Sequence, residues 1–87
     1  MFFCVYCLQS EKEREFYVGY TNNLKRRIGE HNQGKNTSTR PYLPWKLIYY
    51  EACLDEQDAR RREKYFKTTQ GGRLLKRRLK EYLFKQK

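Results

Sequence analysis

The chain opens on an unbroken apolar run, Phe2-Phe3-Cys4-Val5-Tyr6-Cys7-Leu8. A short run without alternation is what a strand covered on both faces shows, so it is predicted to lie at the centre of its sheet. Gln9 to Glu15 is polar and predicts a turn. Phe16-Tyr17-Val18-Gly19-Tyr20 then predicts the returning strand of a β-hairpin. On that strand Tyr17 and Gly19 share one face, and Phe16, Val18 and Tyr20 the other. Gly19 leaves room beside Tyr17, for a bulge or for a ligand approaching the backbone.

The period then changes. Leu24 and Ile28 stand four apart and mark the inward stripe of a helix running to about Gln33. Thr21 or Asn22 caps it, and Gly34 stops it. Arg27 and His31 are also four apart and share a face of this helix. Lys35 to Pro44 carries two prolines among polar residues and reads as an exposed basic loop. Trp45 to Cys53 predicts a third strand, paired with the first. Asp55 caps a second helix, Glu56 to about Thr68. Gly71-Gly72 predicts a break before a last helix, Arg73 to Phe84, with Leu75, Leu79, Tyr82 and Leu83 inward. The predicted order is β-β-α-β-α-α, an α+β chain without repeats or linkers.

Length and charge narrow the picture. Eighty-seven residues make one domain, residues 1–87, with a core just large enough to fold alone. An aromatic fraction of 16% means that large rings supply much of the buried area. Twenty Lys and Arg against ten Asp and Glu leave a net charge of +10, which favours nucleic acid over an acidic protein or a membrane surface. Half of the cations fall between Arg60 and Lys80, an anion-docking stretch. The expected phosphate contacts are Lys25, Arg26, Lys35, Arg40, Arg61, Lys67, Arg73, Arg77 and Lys80. No apolar run reaches the ~20 residues of a membrane span, and no cationic stretch precedes Phe2. Three cysteines without an export signal point to a reducing cytoplasm. Cys4, Cys7, Cys53 and His31 form a Cys₃His inventory, but strand alternation sends Cys4 and Cys7 to opposite faces, so packed cysteines are expected rather than zinc.

Glu63 breaks the pattern. Ala59, Glu63 and Phe66 follow helical spacing, which places a carboxylate on the inward stripe of the second helix. It is either a salt-bridged surface acid or an acid set over the sheet to hold a divalent metal.

Cys4-Val5-Tyr6, Tyr17-Val18-Gly19, and the run from Gly19 through Arg27 to His31, followed by Ala59 and Glu63, resemble the GIY-YIG nuclease family over nearly the whole chain. The likeness is to short stand-alone bacterial members, related to the N-terminal nuclease domain of the excision-repair incision subunit. It implies a three-stranded antiparallel sheet flanked by helices. It also implies an active site of Tyr6, Tyr17, Arg27, His31 and Glu63. In that reading Glu63 binds one Mg²⁺ or Mn²⁺, Arg27 clamps a phosphate oxygen, and a tyrosine or His31 takes the proton of the attacking water. The implied activity is hydrolysis of DNA phosphodiesters, structure-dependent or weakly sequence-specific, in repair or recombination. DNA is the expected partner and RNA a second one, with the chain a monomer or weak dimer. The rival readings are a non-catalytic DNA- or RNA-binding module and an adaptor to a nucleic-acid-processing protein. Two positions depart from the family pattern. Cys4 stands where the first glycine is usual, and no asparagine follows Asn36, which leaves Gln70 as the stand-in for a late polar residue.

Overall fold

The structure, a computed structural model, describes residues 1–86. The apolar run becomes strand β1 (Phe3–Ser10), buried from Cys4 onward. Strand β2 (Phe16–Thr21) returns beside it, and strand β3 (Trp45–Cys53) pairs along its other edge. Both pairings are antiparallel and the spatial order is β2-β1-β3. The central position expected for the first strand follows from its having apolar side chains on both faces.

Alternation along β1 divides the core in two. Val5 and Cys7 pack with Ala59, Phe66, Leu75 and Leu79 of the later helices. Tyr6 and Leu8 pack with Trp45, Tyr17, Leu24 and Ile28 on the opposite face. Helix α1 (Leu24–Asn32) therefore covers one face, and helices α2 (Glu56–Phe66) and α3 (Thr69–Arg78) cover the other. Cys4 lies in an ordinary strand, without the positive φ that would call for glycine.

Several element ends differ from those read off the sequence. Asn23, rather than Thr21 or Asn22, caps α1, its side chain accepting from the Arg26 amide. The Thr21 hydroxyl instead accepts from the Asn23 amide and sets up the entry. Gly34 does end α1, with φ +75°. Helix α2 stops at Phe66 because Thr68 caps the next helix, accepting from the Gly71 amide. The last helix also divides at Leu79 into α3 and a short α4 (Lys80–Lys85).

The largest correction concerns Gly71-Gly72. They lie inside α3 and break nothing. A Cβ on Gly71 would run into the carbonyl of Tyr65 and the Cα of Phe66, whereas Gly72 has only the Phe66 oxygen near it, at 3.8 Å. Gly71 is there to let α3 approach the end of α2. Gly71→Ala is therefore expected to destabilise by about 1–3 kcal/mol, since the obstructing atoms are backbone. Gly72→Ala is expected to be neutral or stabilising by up to about 1 kcal/mol, through helix propensity. Paired melting curves check this, and equal effects at the two glycines would refute the close-approach account.

Among the described residues no helix is long and apolar enough to cross a membrane.

Candidate active site

Tyr6 sits in the middle of the central strand, opposite Gly19 in the β1–β2 register. The end of its ring lies over Gly19, so any side chain there would overlap it. The room that Gly19 leaves is thus filled by the Tyr6 phenol, and the β1–β2 ladder runs through without a bulge. Tyr17 is on the same face of β2, with its ring 6.3 Å from that of Tyr6.

His31, in the last turn of α1, is fully buried. Its Nε2 is 3.0 Å from the Tyr6 hydroxyl and its Nδ1 is 3.0 Å from the Thr39 hydroxyl. The Tyr17 ring meets it edge-on, with centroids 4.9 Å apart. The helix end is tied to the sheet by Asn32, whose side chain donates to the Trp45 carbonyl at 3.0 Å and accepts from the Trp45 amide at 2.8 Å. That pair of bonds fixes where His31 stands relative to β3.

Arg27 and His31 share a side of α1 as their spacing predicts, but unequally. Arg27 remains about one-third exposed and pairs with Glu30 at 3.1 Å. Burial pushes the Tyr6 phenol up to about 12, the nearby Arg27 guanidinium pulls it down, and Tyr17 and Glu63 add to the upward push. His31 is pushed below its ordinary value by burial and by the Arg27 charge, so the imidazole is neutral near neutral pH.

Glu63 sits one turn after Ala59 on α2, with 21% of its side chain exposed. Its carboxylate pairs with Lys67 at 3.0 Å, and its negative charge reaches Tyr6. Tyr6, Tyr17, Arg27 and His31 are thus gathered on the α1 side of the sheet, with Glu63 within electrostatic reach from α2. Gln70 is exposed on the first turn of α3 and makes no side-chain hydrogen bond among the described residues.

One residue of this cluster was hidden in the sequence. Thr39 falls in the segment expected to be an exposed loop, yet it is 1% exposed. The Trp45 indole donates to its carbonyl at 2.8 Å. The signal available was faint: a threonine before Arg40-Pro41, six residues ahead of the one tryptophan.

The expected phosphate contacts are all exposed. Arg26 approaches Glu30 at 3.8 Å, Arg61 pairs with Asp58 at 2.7 Å, and Lys67 holds Glu63. Arg40 donates to the Gly34 carbonyl at 2.9 Å. Lys25, Lys35, Arg73, Arg77 and Lys80 have no ion pair among the described residues, so their charges face solvent.

The GIY-YIG catalytic domain matches residues 2–76. The chain belongs to the GIY-YIG family. This is a nuclease superfamily, whose members generally act on nucleic acid with a divalent metal. A UPF0213 protein of Streptococcus agalactiae is 50% identical over 52 residues, 59% of this chain. That match spans 59% of the Streptococcus protein, less than two thirds of its length. A UPF0213 protein of Bacillus cereus is 40% identical over 65 residues, covering 74% of this chain and 67% of the other. A solution NMR structure of a UPF0213 protein from Bacillus halodurans is 33% identical, covers 100% of this chain and 86% of that one, and superposes with a TM-score of 0.48.

Among the described residues no three His, Cys, Asp or Glu side chains converge on one point. A closed protein cage for a metal is therefore not what this GIY-YIG site offers. One partly buried carboxylate suits a hard cation whose other ligands are water and substrate oxygens. Glu63 fits that donor set.

Proposed function

We propose that the chain is a metal-dependent endonuclease that hydrolyses DNA phosphodiester bonds. The observation that carries this reading is the Tyr6 hydroxyl 3.0 Å from Nε2 of the buried His31, beside Arg27. A surface that only binds phosphates has no need of a buried proton acceptor.

The proton path follows from the pair. A water attacks phosphorus from the Tyr6 side. Its proton passes to the Tyr6 oxygen as the Tyr6 proton passes to His31 Nε2, so the phenol ends neutral and the imidazole carries the charge. The new P–O bond forms as the bond to the leaving oxygen breaks, and that oxygen takes a proton from solvent. Arg27 swings from Glu30 to a non-bridging phosphate oxygen, where its planar fork offsets the charge gathered in the transition state. Tyr17 walls the imidazole and keeps its ring edge-on. Glu63 would hold Mg²⁺ or Mn²⁺, which when bound would supply Lewis-acid stabilisation of the charge on the reacting phosphate. The solvent-facing cations, Lys25, Lys35, Arg73, Arg77 and Lys80, contact phosphates. Such contacts position DNA without reading its sequence, which favours structure-dependent or weakly sequence-specific cleavage, of use in repair or recombination.

The test is incubation with supercoiled, linear, single-stranded and branched DNA, with Mg²⁺ or Mn²⁺ and then with chelator. The expected result is nicking that the chelator abolishes. Salt-sensitive binding without nicking of any substrate would replace the enzyme by a non-catalytic binding module.

A further inference from the structure

The Thr39 hydroxyl has a single proton and two acceptors in reach, the Asn36 carbonyl and, in one tautomer, His31 Nδ1. Thr39 Oγ1 donates to the Asn36 carbonyl at 3.3 Å. The oxygen then faces His31 Nδ1, 3.0 Å away, with only lone pairs to offer. With the hydroxyl proton on that carbonyl, Nδ1 carries the imidazole proton and Nε2 is left with a bare lone pair. That lone pair is the atom 3.0 Å from the Tyr6 hydroxyl, so Tyr6 is the donor in their bond. In this arrangement every bond in the line runs one way, from Tyr6 through His31 and Thr39 to the Asn36 carbonyl.

Thr39 is itself held firmly. Its carbonyl accepts from the Trp45 indole at 2.8 Å, and its amide donates to the Asn36 carbonyl at 3.3 Å. Trp45 is in turn bound twice by Asn32, the residue after His31. The ring and the hydroxyl that orients it are thus fastened to the same tryptophan.

We propose that Thr39 is a positioning residue of the reaction: its buried hydroxyl, tied to the Asn36 carbonyl, holds His31 in the tautomer and plane that present a lone pair to Tyr6. The proposal rests on the nuclease reading for its consequence and on hydrogen bonding alone for its mechanism. In the other tautomer Nε2–H would donate to the Tyr6 oxygen, and the phenol would have nowhere to send a proton. Thr39 touches no substrate. It acts through His31.

The chain contains a single histidine, so the imidazole nitrogens of His31 can be read without assignment. A long-range ¹H–¹⁵N spectrum of the wild-type protein near neutral pH is expected to show a protonated Nδ1 and a bare Nε2. Thr39→Val keeps the shape and removes the hydroxyl. It is expected to mix or reverse the tautomers and to slow nicking by roughly tenfold or more. Thr39→Ser restores the hydroxyl and is expected to recover both. A wild-type protein with the proton on Nε2 overturns the proposal. So does Thr39→Val with the wild-type spectrum, or with full nicking below its melting point. Should Thr39→Val fail to fold, the wild-type spectrum and Thr39→Ser decide between the same outcomes. Should the wild-type protein nick no substrate, the nuclease reading fails by itself, while the spectra still show whether Thr39 sets the tautomer.

Discussion

Glu63→Gln is expected to abolish metal-dependent nicking and leave the protein folded. Glutamine keeps the size of the side chain and one of its oxygens but loses the charge that a divalent cation needs. The structural cost is small, because the only ion pair lost among the described residues is an i,i+4 contact with a half-exposed lysine. Such pairs contribute about 0.3–0.5 kcal/mol. DNA affinity is expected to stay equal or tighten slightly, since a negative charge leaves the neighbourhood of the phosphates and Lys67 is released toward them. Nicking, DNA binding and melting temperature measured side by side separate the two readings of Glu63. A structural acid would show a lower melting temperature with activity retained below it. Wild-type nicking by Glu63→Gln in Mg²⁺ or Mn²⁺ would end the one-metal reading.

Tyr6→Phe is expected to slow cleavage by roughly 10²–10⁴-fold, the usual contribution of a positioned acid or base. The ring stays over Gly19, but His31 Nε2 loses its one hydrogen-bond partner among the described residues and is left buried without one. That adds a stability loss of about 1–3 kcal/mol. Tyr17→Phe is the control. The Tyr17 hydroxyl makes no side-chain hydrogen bond among the described residues, so its loss is expected to cost less stability than the loss at Tyr6.

The pH dependence follows from the same pair. The pKa of His31 is lower in the folded protein than in the unfolded chain. The unfolded chain therefore binds this proton more readily, and the stability tied to a neutral His31 is present above about pH 6.5 and lost as pH falls below it. Cleavage through a neutral imidazole declines on the acid side as well. Tyr6, raised to about 12, shifts the other way. Its contribution is present below about pH 10 and lost as pH rises toward the folded value. Rate–pH profiles of the wild-type protein check the acid limb. A rate that keeps rising as the solution is acidified below pH of about 6 would rule out neutral His31 as the acceptor.

Much of this architecture was legible along the chain. The apolar run of β1 named the central strand, because only a strand covered on both faces can afford apolar residues at every position. The hairpin, the three strands and the positions of α1 and α2 followed from periodicity and from capping residues, which act over three or four neighbours. The family motifs name Tyr6, Tyr17, Arg27, His31 and Glu63, in chain order, as the expected site residues.

What only the tertiary structure decided concerns contacts between distant segments. Gly71-Gly72 has the composition of a break, yet both lie within α3, and at Gly71 the Tyr65 carbonyl leaves no room for a Cβ. Thr39 has the neighbours of an exposed loop residue, yet the Trp45 indole and His31 bury it. The sequence names His31 but not its state. One ring nitrogen faces Tyr6, twenty-five residues earlier in the chain, and the other faces Thr39, eight residues later. Periodicity and capping are local and survive in the one-dimensional pattern. The direction of a buried hydrogen bond depends on where the folded chain places each donor and acceptor, and no local pattern records it.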